Sequence, residues 1–195
     1  MKLGAYRMHF LTTVAIGVLF FGFTGLASAA SLEEKREEVR KMRSETLEKL
    51  YKVHPFAKND IQKAVGYAVF SNVGINLIIL SAAGGSGVAH DNQTGDDIYM
   101  KMISGGFGFG FGVKDFRGIF VFSSTNAFKQ FVESGWAVDA QADVAIKSGE
   151  KGAAAAGAIA VAPGVDLYQL TETGLALQAT IQGTKYYKDD ELNSK

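Results

Sequence analysis

Few residues in this chain of 195 have the type and spacing that chemistry needs. Ser148-Gly149-Glu150-Lys151 fits the S-x-x-K spacing of an acyl-transfer serine, but it sits in a glycine-rich stretch without the K-T-G partner. Gly84-Gly85-Ser86-Gly87-Val88 misses the G-x-S-x-G nucleophile elbow because Val88 stands where the last glycine belongs. Gly106 and Gly108 begin a G-x-G, yet Phe111 replaces the third glycine of a dinucleotide fingerprint, and no Walker A sequence occurs. Histidine amounts to His9, His54 and His90, with no pair at ligand spacing, and cysteine is absent, so no metal site and no thiolate chemistry is expected. His90 next to Asp91 is expected in a turn, and Asp96 and Asp97 as solvated turn carboxylates. These residues point away from an enzyme and from any cofactor.

The elements around them are clearer. Lys2 and Arg7, an apolar run through Phe23 and the small residues Ala27 and Ala29 describe a secretory signal peptide, with cleavage expected after Ala29. An envelope or periplasmic location follows, with secretion as the variant. The absence of cysteine leaves no lipoprotein attachment point and no disulfides. The whole chain balances 20 Lys and Arg against 20 Asp and Glu, and removing the leader leaves a slight acidic excess. That excludes the global basicity of a nucleic-acid binder.

Residues 30–64 are expected to form a helical arm and 65–195 a β-rich domain. Ser31 and Glu34 make a capping box for a helix over Ser31–Val53, ended by Pro55. Leu32, Val39, Met42, Leu50 and Val53 share a face, flanked or interrupted by Lys35, Arg36, Arg40, Arg43 and Lys49. Acids Glu34, Glu37, Glu38, Glu45 and Glu48 fall towards the back. Two arrangements fit this pattern: a helix lying in a lipid interface with snorkelling arginines, or a helix covering a sheet. A short helix is expected over Phe56–Ala64.

From Gly66 the period changes to two, and GYAVFS, GINLIILS, DIYMKMI and GIFVFSS have strand composition. Asp91 to Gly95 is a turn, and TNAFKQFVES is a helix capped by Thr125. Trp136 to Lys147 alternates as a half-buried strand, and Thr171 to Gly174 closes a hairpin. The state of residues 151–164 stays open. Gly106, Gly108, Gly110 and Gly112 alternate with Phe107, Phe109, Phe111 and Val113. Each glycine costs a strand about 0.5–1 kcal/mol, so strong twist, a barrel corner or the close approach of another group is expected there. The fold class is α+β: a helical arm, then a strongly twisted, barrel-like antiparallel sheet with one internal helix.

The blocks GYAVFSNVG, GGSGVAHDNQTGDDIYMKM, GFGFGFGVKDFRGIFVF, FVESGWAVDAQADV and GVDLYQLTETGLALQATIQGTKYYKDDELN, in this order, resemble the SYLF domain, also called the yeast actin-patch actin-binding domain. The likeness runs from Gly66 to Asn193 and is greatest to the exported bacterial branch. The resemblance implies binding to phosphoinositide-type membranes helped by an amphipathic N-terminal helix, and in yeast relatives binding to actin filaments. It implies here a non-enzymatic module for anionic headgroups. Arg36, Arg40 and Arg43 would meet phosphates, while Leu32, Val39, Met42 and Leu50 insert. Lys101, Lys114 and Arg117, with Lys185 and Lys188 around Tyr186 and Tyr187, would form a second patch. The rival expectations are a scaffold that binds another envelope protein, and a carrier that encloses an acyl chain.

Overall fold

A computed structural model describes residues 23–72, 84–104, 117–137, 157–171, 174–176 and 184–194. The first strands are β1 (Gly66–Ser71), β2 (Gly84–Asp91), β3 (Asp97–Ser104) and β4 (Arg117–Phe122), of which β1 and β4 are near-continuous apolar runs. They continue as β5 (Trp136–Ala137), β6 (Ile159–Ala162), β7 (Val165–Thr171), β8 (Gly174–Ala176) and β9 (Thr184–Lys188). All pair antiparallel in the order β5-β9-β3-β2-β1-β4-β7-β6, curled as a half-barrel, and the expected α+β class holds. β6 pairs with the first half of β7 and β8 with its last three residues, so the two share one side of β7.

The sheet has an apolar layer on each face. Tyr67, Val69, Val88, Tyr99, Ile119, Val121, Tyr168 and Leu170 face one way. Ala68, Phe70, Ala89, Met100, Met102, Phe120, Phe122 and Leu167 face the other. Strand alternation puts neighbours on opposite faces, and helices cover both, which is why all six residues of β1 are buried.

The first layer lies under α1 (Phe23–Val53) and α2 (Ala57–Lys63). Val39, Met42, Leu50, Ala57 and Ile61 are buried against it, and Leu32, Leu47 and Tyr51 pack at its margin. Arm and sheet therefore share one core, and of the two arrangements the sequence allows, α1 adopts the sheet-covering one. The helix begins at Phe23, eight residues before Ser31, so Ser31 lies within it rather than at its N-terminus. Among the described residues no helix is long and apolar enough to cross a membrane.

The second layer lies under α3 (Thr125–Ser134), whose Phe128 and Phe131 are buried. Ser124, not Thr125, caps it: the Ser124 hydroxyl accepts from the Ala127 amide at 3.4 Å. Gly135 ends the helix at φ +71°, where a Cβ would also strike the Tyr186 carbonyl. Beneath α3, Phe70, Phe120, Phe131, Trp136 and Tyr186 form an aromatic cluster with centroid distances of 4.7–6.5 Å.

β2 gives a local answer to what glycine in these strands is for. A Cβ on Gly87 would enter the Phe70 ring, and one on Gly85 would enter Met102. The bare strand is where large side chains from the neighbouring strands lie flat. The Gly106–Val113 alternation lies outside the described residues, as do GINLIILS and most of the Trp136–Lys147 pattern. Within 151–164, Ile159–Ala162 is a strand.

Candidate functional site

One row of side chains across the sheet organises the surface under the arm. Tyr99, Val88, Val69, Ile119 and Tyr168 stand opposite one another on β3, β2, β1, β4 and β7. Four strand spacings separate the two tyrosines, roughly 19 Å. At one end the Tyr99 hydroxyl accepts from Arg40 at 2.6 Å. At the other the Tyr168 hydroxyl donates to Asp60 at 2.8 Å. The arm is pinned at both ends of this row. Burial pushes the pKa of both phenols up, Asp60 adds to the shift at Tyr168, and Arg40 opposes it at Tyr99.

The adjacent row carries Tyr67, His90 and Asp97 on β1, β2 and β3. One oxygen of Asp97 takes both the Arg43 guanidinium and, at 2.7 Å, His90 Nδ1. Asp97 is 19% exposed, so it is not the solvated turn carboxylate expected from its neighbours, and His90 belongs to β2 rather than to the turn. Arg43 interrupts the apolar stripe because its partner waits on the sheet. The turn itself forms as expected, with Asp91 accepting from the Gln93 and Thr94 amides.

The chain's C-terminal turn fastens the other flank of α1. Asp189, buried, accepts from the Glu191 and Leu192 amides and from Lys101 at 3.0 Å. Asn193 extends the sheet's bonding: its amide nitrogen donates to the Tyr99 carbonyl at 2.7 Å and its oxygen accepts from the Tyr99 amide at 3.1 Å. Arg36 then donates to the carbonyls of Leu192 at 2.9 Å and Ser194 at 2.6 Å, and Lys35 pairs with Glu191 at 2.6 Å. Lys35 holds the Glu191 carboxyl below the usual range, and Arg40 does the same for Glu33.

The residues expected to meet lipid are therefore placed as follows. Val39, Met42 and Leu50 are core, and Leu32 packs beside them. Arg36, Arg40 and Arg43 are struts between α1, the sheet and the C-terminal turn. Lys101 is bound to Asp189, while Lys185, exposed on the adjoining β9, lies over the Tyr187 ring at 5.9 Å. Arg117 stands on β4 in the same cross-strand row as Lys101, with Ser71 and Ser86 between them, roughly 14 Å away, and Lys185 lies diagonally beside Lys101 on β9. Lys114 lies outside the described residues.

Clefts open at two places among the described residues. One, about 420 Å³, runs beside Arg36, Arg40 and Tyr99. Its two arginines face Glu33, Asp96 and Asp97, so it offers an anion no net positive charge. The other, about 330 Å³, lies between α3 and the β4–β6 side, lined by Phe122, Phe131, Trp136, Pro163 and Val165 with no titratable side chain. Among the described residues no three His, Cys, Asp or Glu gather as metal ligands.

Sequence reasoning missed the α1–α2 corner. Val53 is 45% exposed and Phe56 77%, with Pro55 also exposed. The corner is well made. The His54 amide donates to Leu50, and the amides of Ala57, Lys58 and Asn59 donate to His54, Pro55 and Phe56. The His54 ring meets Phe56 edge-on at 6.3 Å and Tyr168 at a tilt at 5.8 Å. In the sequence about it, Lys49, Lys52, Lys58 and Lys63 outnumber Glu48 and Asp60. The helical wheel put Val53 on the buried stripe, and only the break at Pro55 hints that the chain leaves the sheet there.

No family model matches the chain. It is 34% identical over 160 residues, 82% of its length, to a protein of Aeromonas veronii named Beta cell expansion factor A. The chain spans 59% of that relative's length.

Proposed function

We propose that this chain is an exported, non-catalytic module of the SYLF type that adheres to anionic lipid surfaces. The SYLF blocks of the sequence supply β1, β2, β3, β4, β7 and β9 in order, which supports one sheet domain as the unit of resemblance. The observation that carries the reading is the charge at the α1–α2 end. Four lysines fall between residues 48 and 63, and Lys52, Lys58 and Lys63 among them are exposed. Glu48 and Asp60 are the acids of that stretch, Glu48 paired with Lys52, so four lysines against two carboxylates leave a net charge of +2. In a chain of zero formal charge this is a local cationic end.

Each lysine near an anionic bilayer contributes about 1 kcal/mol at modest salt. Binding of this origin is weak and falls as salt screens it. The arginines of α1 act in this reading as structural struts. The test is co-sedimentation with vesicles of phosphatidylcholine, with and without phosphatidylglycerol. Pelleting with the anionic vesicles that declines from 50 to 500 mM salt is expected. No pelleting, or equal pelleting with neutral vesicles at all salt concentrations, overturns the reading.

A further inference from the structure

We propose that Val53, Pro55 and Phe56 form a tip that enters the hydrocarbon boundary of an anionic bilayer, flanked by Lys52 and Lys58 at headgroup level. This inference rests on the lipid-surface reading and names the contact. Phe56 is the most exposed large apolar side chain among the described residues, yet its setting is rigid. Its carbonyl accepts from the Asn59 amide at 3.0 Å, its ring meets His54, and α2 behind it is anchored by buried Ala57 and Ile61. A phenylalanine held outward on an ordered corner is placed there by the fold rather than by fraying.

The chemistry of the tip fits lipid better than protein. A stable protein partner needs roughly 800 Å² on each side, far beyond three side chains on a convex corner. A bilayer accepts a small apolar wedge, and long lysine stems keep their ammonium groups at the phosphates while the wedge goes deeper. Lys52 precedes Val53 and Lys58 follows Phe56 by two residues, both exposed, which gives that arrangement. Of the two carboxylates between residues 48 and 63, Glu48 pairs with Lys52 at 2.7 Å and Asp60 accepts from Tyr168, so Lys49, Lys58 and Lys63 outnumber the remaining acid.

The experiment uses the whole chain and phosphatidylcholine–phosphatidylglycerol vesicles. Phe56→Ala is expected to lower the partition coefficient about tenfold with an unchanged melting curve, because Phe56 contributes little to the core. Phe56→Trp is expected to retain binding, and its added fluorescence to be quenched by lipids brominated along the acyl chain beyond the quenching of wild type, whose one tryptophan is Trp136. Wild-type binding with Phe56→Ala equally bound overturns the tip and leaves the lipid reading standing. No wild-type binding overturns both. Weakened binding without acyl-chain quenching overturns insertion, and conversion of a dimer to a monomer by Phe56→Ala with vesicle binding unchanged makes the corner a contact between copies instead.

Discussion

Arg43 on α1 reaches across 54 residues of sequence to Asp97 at the start of β3, and both side chains are mostly buried, 16% and 19% exposed. His90 completes the group on the same carboxylate oxygen. Breaking such a pair leaves the surviving charge poorly solvated under the helix. Its effect therefore exceeds the fraction of a kcal/mol typical of surface pairs and falls short of a fully buried one. Asp97→Asn and Arg43→Met should each destabilise by about 1–3 kcal/mol, and the double variant by less than their sum. Urea unfolding of the four proteins checks this; additive losses would mean that the two residues act separately.

Gly87 makes room for the Phe70 ring and lies against the Val69 carbonyl. Gly87→Ala should destabilise by about 1–3 kcal/mol, since a ring between packed strands has little space to retreat. A lower urea midpoint at constant slope is the expected result. Gly95→Ala, whose Cβ would meet nothing, isolates the separate cost of its positive φ.

Much of this was legible in the sequence, for identifiable reasons. GYAVFS, DIYMKMI and GIFVFSS are rich enough in β-formers to define β1, β3 and β4, and Pro55 ends α1 where expected. The charged Arg43 inside an apolar stripe signals a buried partner, but nothing local marks Asp97 as that partner. Neighbouring Asp96 and Gly95 make Asp97 look like part of a turn. The choice of Ser124 over Thr125 as cap depends on one backbone angle. The role of Arg36 depends on carbonyls of Leu192 and Ser194, which carry no side-chain signature at all. The exposed Phe56 was hidden for the opposite reason: an apolar residue after a helix is ordinarily assigned to the core.

The C-terminal turn should govern how firmly α1 stays down. Arg36→Met removes the bonds to Leu192 and Ser194, and amide exchange along the first half of α1 should quicken while β1 and β4 stay protected. Unchanged exchange would show that apolar packing alone holds the helix. Glu191, depressed by Lys35, stabilises above the ordinary carboxylate value of 4.5, and this contribution is lost as pH falls through its lowered native value. Glu191→Gln should therefore flatten the acid side of the stability profile slightly.

Alkaline pH tests the aromatic cluster. Tyr186 is fully buried, and burial pushes its pKa well above the ordinary phenol value of 10, as it does for Tyr168. A raised native value means that this stabilisation is complete below pH 10 and is lost as pH rises towards the native value. Stability measured from pH 8 to 11 should hold level and then fall. Tyr186→Phe, which removes a hydroxyl without a partner among the described residues, should soften that fall.

The most direct test of the account is charge reversal at the corner, with Lys52→Glu, Lys58→Glu and Lys63→Glu combined in one chain. These side chains are exposed, so the fold should survive, as a melting curve can verify. The account predicts that this variant no longer pellets with anionic vesicles at low salt while wild type does. A folded variant that pellets as well as wild type would contradict it.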